Sequence, residues 1–76
     1  MAEVLEWIAR RLVDEPDAVR VETEEREDAV VFHLYVAPDD VGKVIGRQGR
    51  LARAFRSLVR AAGARADRRY LLEIAD

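Results

Sequence analysis

The chain has 76 residues, of which 50% are hydrophobic and 37% charged, with a formal net charge of −2. This length indicates a single domain over residues 1–76, and the composition excludes a disordered chain and a membrane span. The absence of cysteine excludes disulfides and thiolate metal sites, and the single histidine excludes a multi-histidine centre, so we predict no metal and no cofactor. The first residues lack a basic segment followed by an apolar run, so we expect a cytoplasmic protein.

The charge is distributed unevenly along the sequence. Residues 1–42 carry four arginines and 12 carboxylates, whereas residues 43–69 carry Lys43 and eight arginines against Asp67 alone. A basic segment joined to an acidic one is typical of a protein with one face that binds a polyanion. The acidic overall balance therefore does not exclude a nucleic-acid partner, although any single arginine can also serve only to keep a helix soluble.

The first helix is expected over residues 2–14, where apolar residues recur at helical spacing, and it should end before Pro16. Trp7 lies at the edge of its apolar face. We interpret this tryptophan as a partly buried core anchor in preference to a platform on which RNA bases stack.

Two strands are predicted next. Apolar or threonine side chains alternate with charged ones over residues 19–24, and a polar turn follows near residues 25–28. Alternation resumes over residues 29–37, and the set expected to meet the helices is Val30, Phe32, Leu34 and Val36. The set expected on the open face of the sheet is Val31, His33 and Tyr35. In that position His33 is expected to have an ordinary surface role.

Pro38 and the pair Asp39 and Asp40 end the second strand and are expected to cap a short helix over residues 40–45. Adjacent aspartates can also indicate a metal site. No further cluster of oxygen ligands accompanies them in the sequence, so capping is favoured.

The segment after this short helix carries the strongest functional signal. Gly46 and Gly49 enclose Arg47 and Gln48 in a GxxG loop, and glycine both tolerates positive φ and lets the main chain approach a ligand closely. The loop also opens the next helix, whose free N–H groups and positive dipole end attract a phosphate. The charged side chains that add to this attraction are Lys43, Arg47, Arg50 and Arg53.

The helix that follows should pack on the core through one apolar stripe, and Gly63 is expected to end it. The expected stripe is Leu51, Ala54, Phe55, Leu58, Val59 and Ala62. Arginines occupy much of the remaining surface, with Arg53, Arg56 and Arg60 close to one line. A linker over residues 64–67 leads to a last strand near residues 68–75, which gives the element order α-β-β-α-α-β.

The run Val36-Ala37-Pro38-Asp39-Asp40-Val41-Gly42-Lys43-Val44-Ile45-Gly46-Arg47-Gln48-Gly49-Arg50 resembles the KhpA family of small bacterial proteins, and the resemblance extends over about residues 1–76. It implies an α+β fold, the KH domain of prokaryotic type, with a three-stranded sheet and helices on one face. It further implies a groove in which the GxxG loop holds an RNA backbone while apolar side chains of the preceding helix support bases. The sequence leaves open which of Val41, Val44 and Ile45 faces that groove. The RNA-binding residues indicated in this way are Lys43, Val44, Ile45, Gly46, Arg47, Gln48, Gly49, Arg50 and Arg53.

The resemblance also implies flanking RNA contacts, because the variable segment of this KH type lies between the last helix and the last strand. The candidate residues there are Arg65, Arg68 and Arg69. Aromatic platforms for stacking are not evident near the loop. This composition favours modest affinity and a weak sequence preference.

Catalysis is not predicted. His33 is not paired with a nucleophile in any interpretable motif, and Ser57 lies on a predicted helix without the context of a nucleophile elbow. A nucleotide-binding P-loop is also excluded, because the Gly-Lys-Ser/Thr ending is absent and the glycine loop follows a helix where a P-loop follows a strand.

The sequence therefore predicts a protein that binds single-stranded RNA, as a global RNA-binding or chaperone-like factor. The alternative is a protein-interaction subunit. The family resemblance implies self-association and a larger KH-containing partner of the KhpB/Jag type, and pairing of modules raises avidity. For a homodimer, the candidate surfaces are the arginine-rich helix and the open sheet face with Val31, Tyr35 and Leu71.

Overall fold

The computed structural model describes residues 1–75, which form three helices and three strands. The helices are α1 (Ala2–Leu12), α2 (Val41–Ile45) and α3 (Arg50–Arg65), and the strands are β1 (Arg20–Glu25), β2 (Val30–Tyr35) and β3 (Tyr70–Ala75). Short 3-10 turns lie at Pro16–Ala18, Pro38–Asp40 and Arg47–Gly49. The predicted element order is confirmed. No helix within residues 1–75 combines the length and apolarity needed to cross a bilayer.

The three strands form one mixed sheet in the order β1-β2-β3. β1 and β2 make an antiparallel hairpin in which Glu22 pairs with His33, and β3 joins β2 in parallel with Glu73 beside the same histidine. A parallel neighbour requires a long crossover connection. Here that connection consists of α2, the glycine loop and α3.

The hydrophobic core lies between one face of this sheet and the helices. As predicted, β2 directs Val30, Phe32 and Leu34 into the core, where each is at most 5% exposed. The helices contribute side chains that are equally buried, namely Leu5, Ala9, Val44, Phe55 and Val59. Phe32 also meets the ring of Tyr70 edge-on, with centroids 5.1 Å apart. The α+β layering expected from the sequence is therefore present.

The opposite sheet face is less apolar than predicted. Val31, expected to be presented there, is fully buried, because the central strand places it between Glu24 of β1 and Leu71 of β3. Tyr35 is half-buried beneath the guanidinium of Arg20, whose Cζ lies 4.2 Å from the ring centroid. This face therefore exposes little of the apolar surface that the sequence suggested for self-association.

The core stripe of α3 is rotated from the predicted one. Its buried residues are Ala52, Phe55, Val59 and Gly63, whereas Ala54 and Leu58 are exposed. Small residues at both ends of the buried stripe let the helix lie close to the sheet. The apolar residues Leu51, Ala54 and Leu58 lie along one side of this stripe. Helical periodicity alone does not distinguish these partly exposed residues from the fully buried ones.

Gly63 does not end α3, as the sequence suggested, because the helix continues to Arg65. A Cβ at this position would lie 2.6 Å from the carbonyl oxygen of Arg68 and 2.9 Å from the backbone nitrogen of Tyr70. The glycine therefore permits close packing between α3 and the start of β3. The chain reverses at Asp67 instead, whose φ of 57° is left-handed.

Candidate nucleic-acid interface

The GxxG loop is a sharp turn with three residues at positive φ. Gly46 has φ 78°, Gln48 has φ 57° and Gly49 has φ 75°. A Cβ on Gly46 would lie 2.9 Å from Cβ and Cγ of Leu51, whereas a Cβ on Gly49 would meet nothing within 4 Å. Gly46 is thus required by both conformation and space, whereas at position 49 the left-handed conformation favours glycine without excluding other residues. Arg47 and Gln48, between them, are exposed.

The N-terminus of α3 lies directly behind this loop. Gly49 occupies the N-cap position without a side-chain cap, and within residues 1–75 no acidic side chain lies in the first turn of α3. Helix N-termini usually carry such groups, because these satisfy free N–H donors and the positive end of the dipole. The exposed side chains of Arg47, Arg50 and Arg53 surround the same end of the helix. The local field therefore favours an anion.

The structure settles which apolar residues of α2 belong to the core. Val44 is fully buried in the hydrophobic cluster, so the sequence-based expectation that it contacts RNA is wrong. Its side chain supports the loop from the core side. Val41 and Ile45 are half-buried and remain accessible beside the loop.

Lys43 and Asp40 form an ion pair next to the loop. Lys43 Nζ lies 3.3 Å from Asp40 Oδ1 and 3.2 Å from Asp14 Oδ2, and these carboxylates raise the pKa of the ammonium. Asp40, expected to cap α2, makes no side-chain cap bond. Its Oδ2 instead accepts a hydrogen bond from the backbone nitrogen of Glu15 at 3.1 Å. The positive charge of Lys43 beside the loop is thus already paired with the carboxylates of Asp14 and Asp40.

A groove of about 290 Å³ extends between α3 and the free edge of β3. It is lined by Arg56, Arg60, Tyr70, Leu71, Leu72 and Glu73. The carbonyl groups of Arg69 and Ala75 accept hydrogen bonds from β2. Because the backbone groups of successive strand residues point alternately to the two edges, those of every second residue, starting from Tyr70, point to the free edge. Those residues are Tyr70, Leu72 and Ile74. Unpaired strand groups there can hydrogen-bond a ligand.

The predicted site residues omitted Arg56 and Arg60, which the fold brings to this groove. Together with Arg53 they form a row along α3, at positions i, i+3 and i+7, that leads from the loop into the groove. The helical spacing of the arginines was visible in the sequence. What the sequence did not show is that β3 lies beside this particular row.

The flanking candidates Arg65, Arg68 and Arg69 lie at the opposite end of α3 from the GxxG loop. The 16 residues of this helix span about 24 Å, so the two groups do not form one compact cluster. Arg68 donates from Nη2 to Glu25 Oε1 at 3.0 Å, and all three of these arginines are exposed. A ligand that touches both groups must run the length of the helix.

The sheet face opposite the helices carries a different set of charges. Arg26 donates to both carboxylate oxygens of Glu24, and His33 Nε2 lies 2.8 Å from Glu24 Oε1. These hydrogen bonds, with that of Arg26 the larger effect, lower the pKa of Glu24 to about 2. His33 is thus part of a hydrogen-bonded surface cluster, as its predicted surface role implies. The face is unsuited to a polyanion.

A second groove, of about 180 Å³, lies on the other side of α3, against α1. It is lined only by apolar residues, which are Ile8, Leu12, Leu51, Ala54, Phe55 and Leu58. Next to it Trp7 is 62% exposed and Val4 46% exposed, so the interpretation of Trp7 as a core anchor is wrong. The guanidinium of Arg11 covers one face of the indole at 4.9 Å. We call the groove together with Val4 and Trp7 the apolar strip.

Comparison with known proteins places this geometry in a family. The family model described as "KhpA/KhpB, KH domain" matches residues 2–74. A protein of Halalkalibacterium halodurans named "RNA-binding protein KhpA" is 49% identical over 76 residues, which cover the whole of both chains. Proteins of the same name from Caldanaerobacter subterraneus and Treponema pallidum are each 47% identical over 74 residues, covering 97% of this chain and 99% and 92% of the relatives. With its α-β-β-α-α-β order and its GxxG loop, the chain belongs to the KhpA family of KH-domain proteins.

Proposed function

We propose that this protein binds single-stranded RNA, with the GxxG loop and the N-terminus of α3 holding one or two phosphates. The observation that carries the proposal is the uncapped N-terminus of α3 behind a loop that two glycines fold at positive φ, ringed by exposed arginines. Such an end supplies N–H donors and positive potential together. The relatives named as RNA-binding proteins support the same ligand.

The RNA strand is proposed to continue from the loop along the arginine row of α3. Arg53, Arg56 and Arg60 then contact successive phosphates, and the free backbone edge of β3 offers hydrogen bonds to base edges. Half-buried Val41 and Ile45 give the bases apolar support near the loop. Stacking on aromatic side chains plays little part, so affinity is modest and sequence preference weak. These properties suit a cytoplasmic, chaperone-like factor with many RNA targets.

A double charge reversal in the loop tests the clamp. Arg47→Asp/Gln48→Asp places two negative charges where the phosphate is expected, and we expect single-stranded RNA binding to be abolished. The fold should persist, because both side chains are exposed, aspartate tolerates the φ of 57° at position 48, and acids favour a helix N-terminus. The matched control is Arg10→Asp/Ala18→Asp, which makes the same charge change at two exposed residues away from the loop and from the apolar strip.

RNA titration and thermal melting on the same preparations decide the outcome. A folded loop variant that binds RNA as tightly as the control rejects the clamp. A salt series adds a second criterion, because each phosphate contact contributes about 0.7 to the slope of log affinity against log salt for a single strand. Affinity independent of salt, or equal affinity for duplex RNA, contradicts the proposed mode.

A second proposed function is protein interaction through the apolar strip. Exposed tryptophan, valine and leucine next to an apolar groove resemble the centre of a protein interface more than an ordinary surface. We infer that the strip contacts a second copy of this chain. A larger KH-containing protein of the KhpB/Jag type is the other candidate partner, since the family model covers both KhpA and KhpB domains. Because the strip and the basic groove lie on opposite sides of α3, a dimer can bind RNA with both subunits.

Analytical ultracentrifugation at micromolar concentration tests self-association. Leu58→Glu inserts a charge into the strip and should give a monomer, whereas Tyr35→Glu, on the open sheet face, should leave the dimer intact. A wild-type protein that is monomeric at this concentration rejects the homodimer. If Tyr35→Glu gives a monomer and Leu58→Glu does not, the interface lies on the open sheet face instead of on the apolar strip.

A further inference from the structure

Asp40 is the only buried charged side chain among residues 1–75, with 2% of its surface exposed. Both of its oxygens are used. Oδ2 accepts from the backbone nitrogen of Glu15 at 3.1 Å, and Oδ1 lies 3.3 Å from Lys43 Nζ, which also reaches Asp14. We call this set of Asp14, the Glu15 N–H, Asp40 and Lys43 the Asp40 latch.

The Asp40 latch joins the connection after α1 to the start of α2. α2 has only five residues, too few for a helix to be stable by itself, so its orientation depends on contacts with the rest of the fold. Val44 supplies one such contact in the core, and the latch supplies another, which runs from Asp40 at the N-terminal end of α2 to Lys43 in its last turn. The amide of Gly46, the first loop residue, donates to the carbonyl of Gly42 at 2.9 Å. Any tilt of α2 is therefore transmitted to the loop.

We infer that Asp40 is a positioning residue for the RNA clamp, and that Lys43 serves the clamp as a member of the Asp40 latch instead of as a phosphate contact. This inference rests on the proposed RNA function. This role explains why a carboxylate lies buried beside a site for an anion. The negative charge of Asp40 is compensated by the Glu15 N–H and by Lys43. Although burial alone raises the pKa of Asp40, hydrogen bonds from the backbone of Glu15 and Asp14 and from Lys43 bring it below the ordinary value. The carboxylate therefore remains ionised in the latch.

Two substitutions at Asp40 test the positioning role. Asp40→Ala removes both latch contacts, and RNA affinity of the folded protein should fall about tenfold, the scale seen when a supporting contact behind a metal ligand is lost. Asp40→Asn keeps an oxygen that can accept from the Glu15 N–H and should recover most of this loss. Neither variant should change the salt slope, because Asp40 contacts no phosphate. A folded Asp40→Ala protein with wild-type affinity overturns the inference.

Lys43→Met separates the latch from a phosphate contact and replaces Asp40→Ala if that variant does not fold. The latch assignment predicts a reduced affinity with an unchanged salt slope. Arg53→Met is the matched control, and its slope should fall by about 0.7, the value for one single-strand phosphate contact. The same fall in Lys43→Met overturns the assignment of Lys43.

A readout without RNA distinguishes failure of this inference from failure of the proposed function. Because trypsin cleaves a locally opened backbone faster, loss of the latch should speed cleavage after the exposed Arg47 several-fold, as mass spectrometry of the fragments will show. If wild-type protein binds no RNA, the proposed function fails, and faster cleavage in Asp40→Ala or Lys43→Met still supports positioning. Unchanged cleavage in the folded variants rejects it.

Discussion

The two sides of α3 differ in almost every physical property. Toward β3, the helix presents Arg56 and Arg60 above a free strand edge, whereas toward α1 it presents Ala54 and Leu58 beside a groove without a polar lining residue. Both sides lie next to the same buried stripe. One helix can thus carry a basic groove and an apolar groove, because Arg53, Arg56 and Arg60 lie on the side of α3 that faces away from α1.

This separation teaches that net charge and mean composition are poor guides to the partners of a small domain. The acidic groups are concentrated before residue 43, and several of them lie on the sheet face behind the core. The basic row on α3 is therefore shielded from them by the thickness of the domain. A chain with a net charge of −2 can still offer a locally positive groove.

The largest expected effect concerns the core that both grooves share. Phe55 is 4% exposed and Leu58 is 38% exposed, although both line the apolar groove. Phe55→Ala should lower the free energy of unfolding by about 3–5 kcal/mol, and Leu58→Ala by about 1 kcal/mol. Urea denaturation measures both. If the two substitutions lower the free energy of unfolding equally, then Leu58 is as much a part of the core as Phe55 and the groove is not an open surface.

Reversing charge on the basic side should come next in size. Arg56→Glu/Arg60→Glu should weaken single-stranded RNA binding about a hundredfold or more, because hydrogen bonds to charged groups contribute about 1.5–3 kcal/mol each. The self-association state should not change. Arg10→Glu/Arg26→Glu, on α1 and in the turn after β1, makes the same change in net charge away from both grooves and serves as the control. If the control loses as much affinity, overall charge and not the groove determines binding.

A smaller effect is expected where α3 meets β3. Gly63→Ala forces a Cβ to within 2.6 Å of the Arg68 carbonyl oxygen and should cost about 1–3 kcal/mol of stability through overpacking. Gly42→Ala is the matched exchange at a helical position where the added Cβ meets nothing within 4 Å, and it should stabilise by about 0.5–1 kcal/mol. Thermal melting distinguishes the two signs. A stable Gly63→Ala protein shows that the basic groove can widen at little cost.

The smallest expected effect is the stability contributed by Glu24 on the sheet face. Lowering the pH protonates this carboxylate, whereas the arginines of α3 remain charged. Since the folded state lowers the pKa of Glu24 from 4.5 to about 2, its stabilising contribution is present above pH 4.5. It declines as the pH falls from about 4.5 to about 2. Glu24→Gln should be slightly less stable than wild type at neutral pH and should converge with it near pH 2. Melting curves across this range test the convergence, and a constant difference removes the ion pairs as its cause.

Much of the fold was predictable because it follows local rules. The alternation in β2 and the glycine spacing around Arg47 and Gln48 each indicate one structure whatever surrounds them. The exposure of Trp7 was not predictable in this way, because it depends on how far α1 stands from α3. Gly63 was misinterpreted for a related reason, since a glycine near a helix end usually stops the helix and here makes room for a neighbouring strand.

The same distinction between local rules and distant contacts applies to the candidate site. The loop residues were identified from their order in the chain, whereas the burial of Val44 and the pairing of Lys43 depend on contacts with distant segments. Asp40 is the clearest case. Its position before α2 predicted a cap, but its partner is the backbone of Glu15, 25 residues earlier. A single sequence contains no local signal for such a contact.

The parallel pairing of β3 with β2 has a consequence for the order of folding. The β1–β2 hairpin closes through local contacts, but β3 can reach β2 only after the whole α2–loop–α3 crossover has folded back across the sheet. Contacts so distant in sequence form slowly, because closing a long loop costs chain entropy before the contacts compensate for it. The basic groove, one wall of which is β3, therefore depends on the contacts that are most expensive in chain entropy to form. A chain in which β3 is not paired with β2 still has the glycine loop, but it lacks the groove proposed to hold an RNA strand.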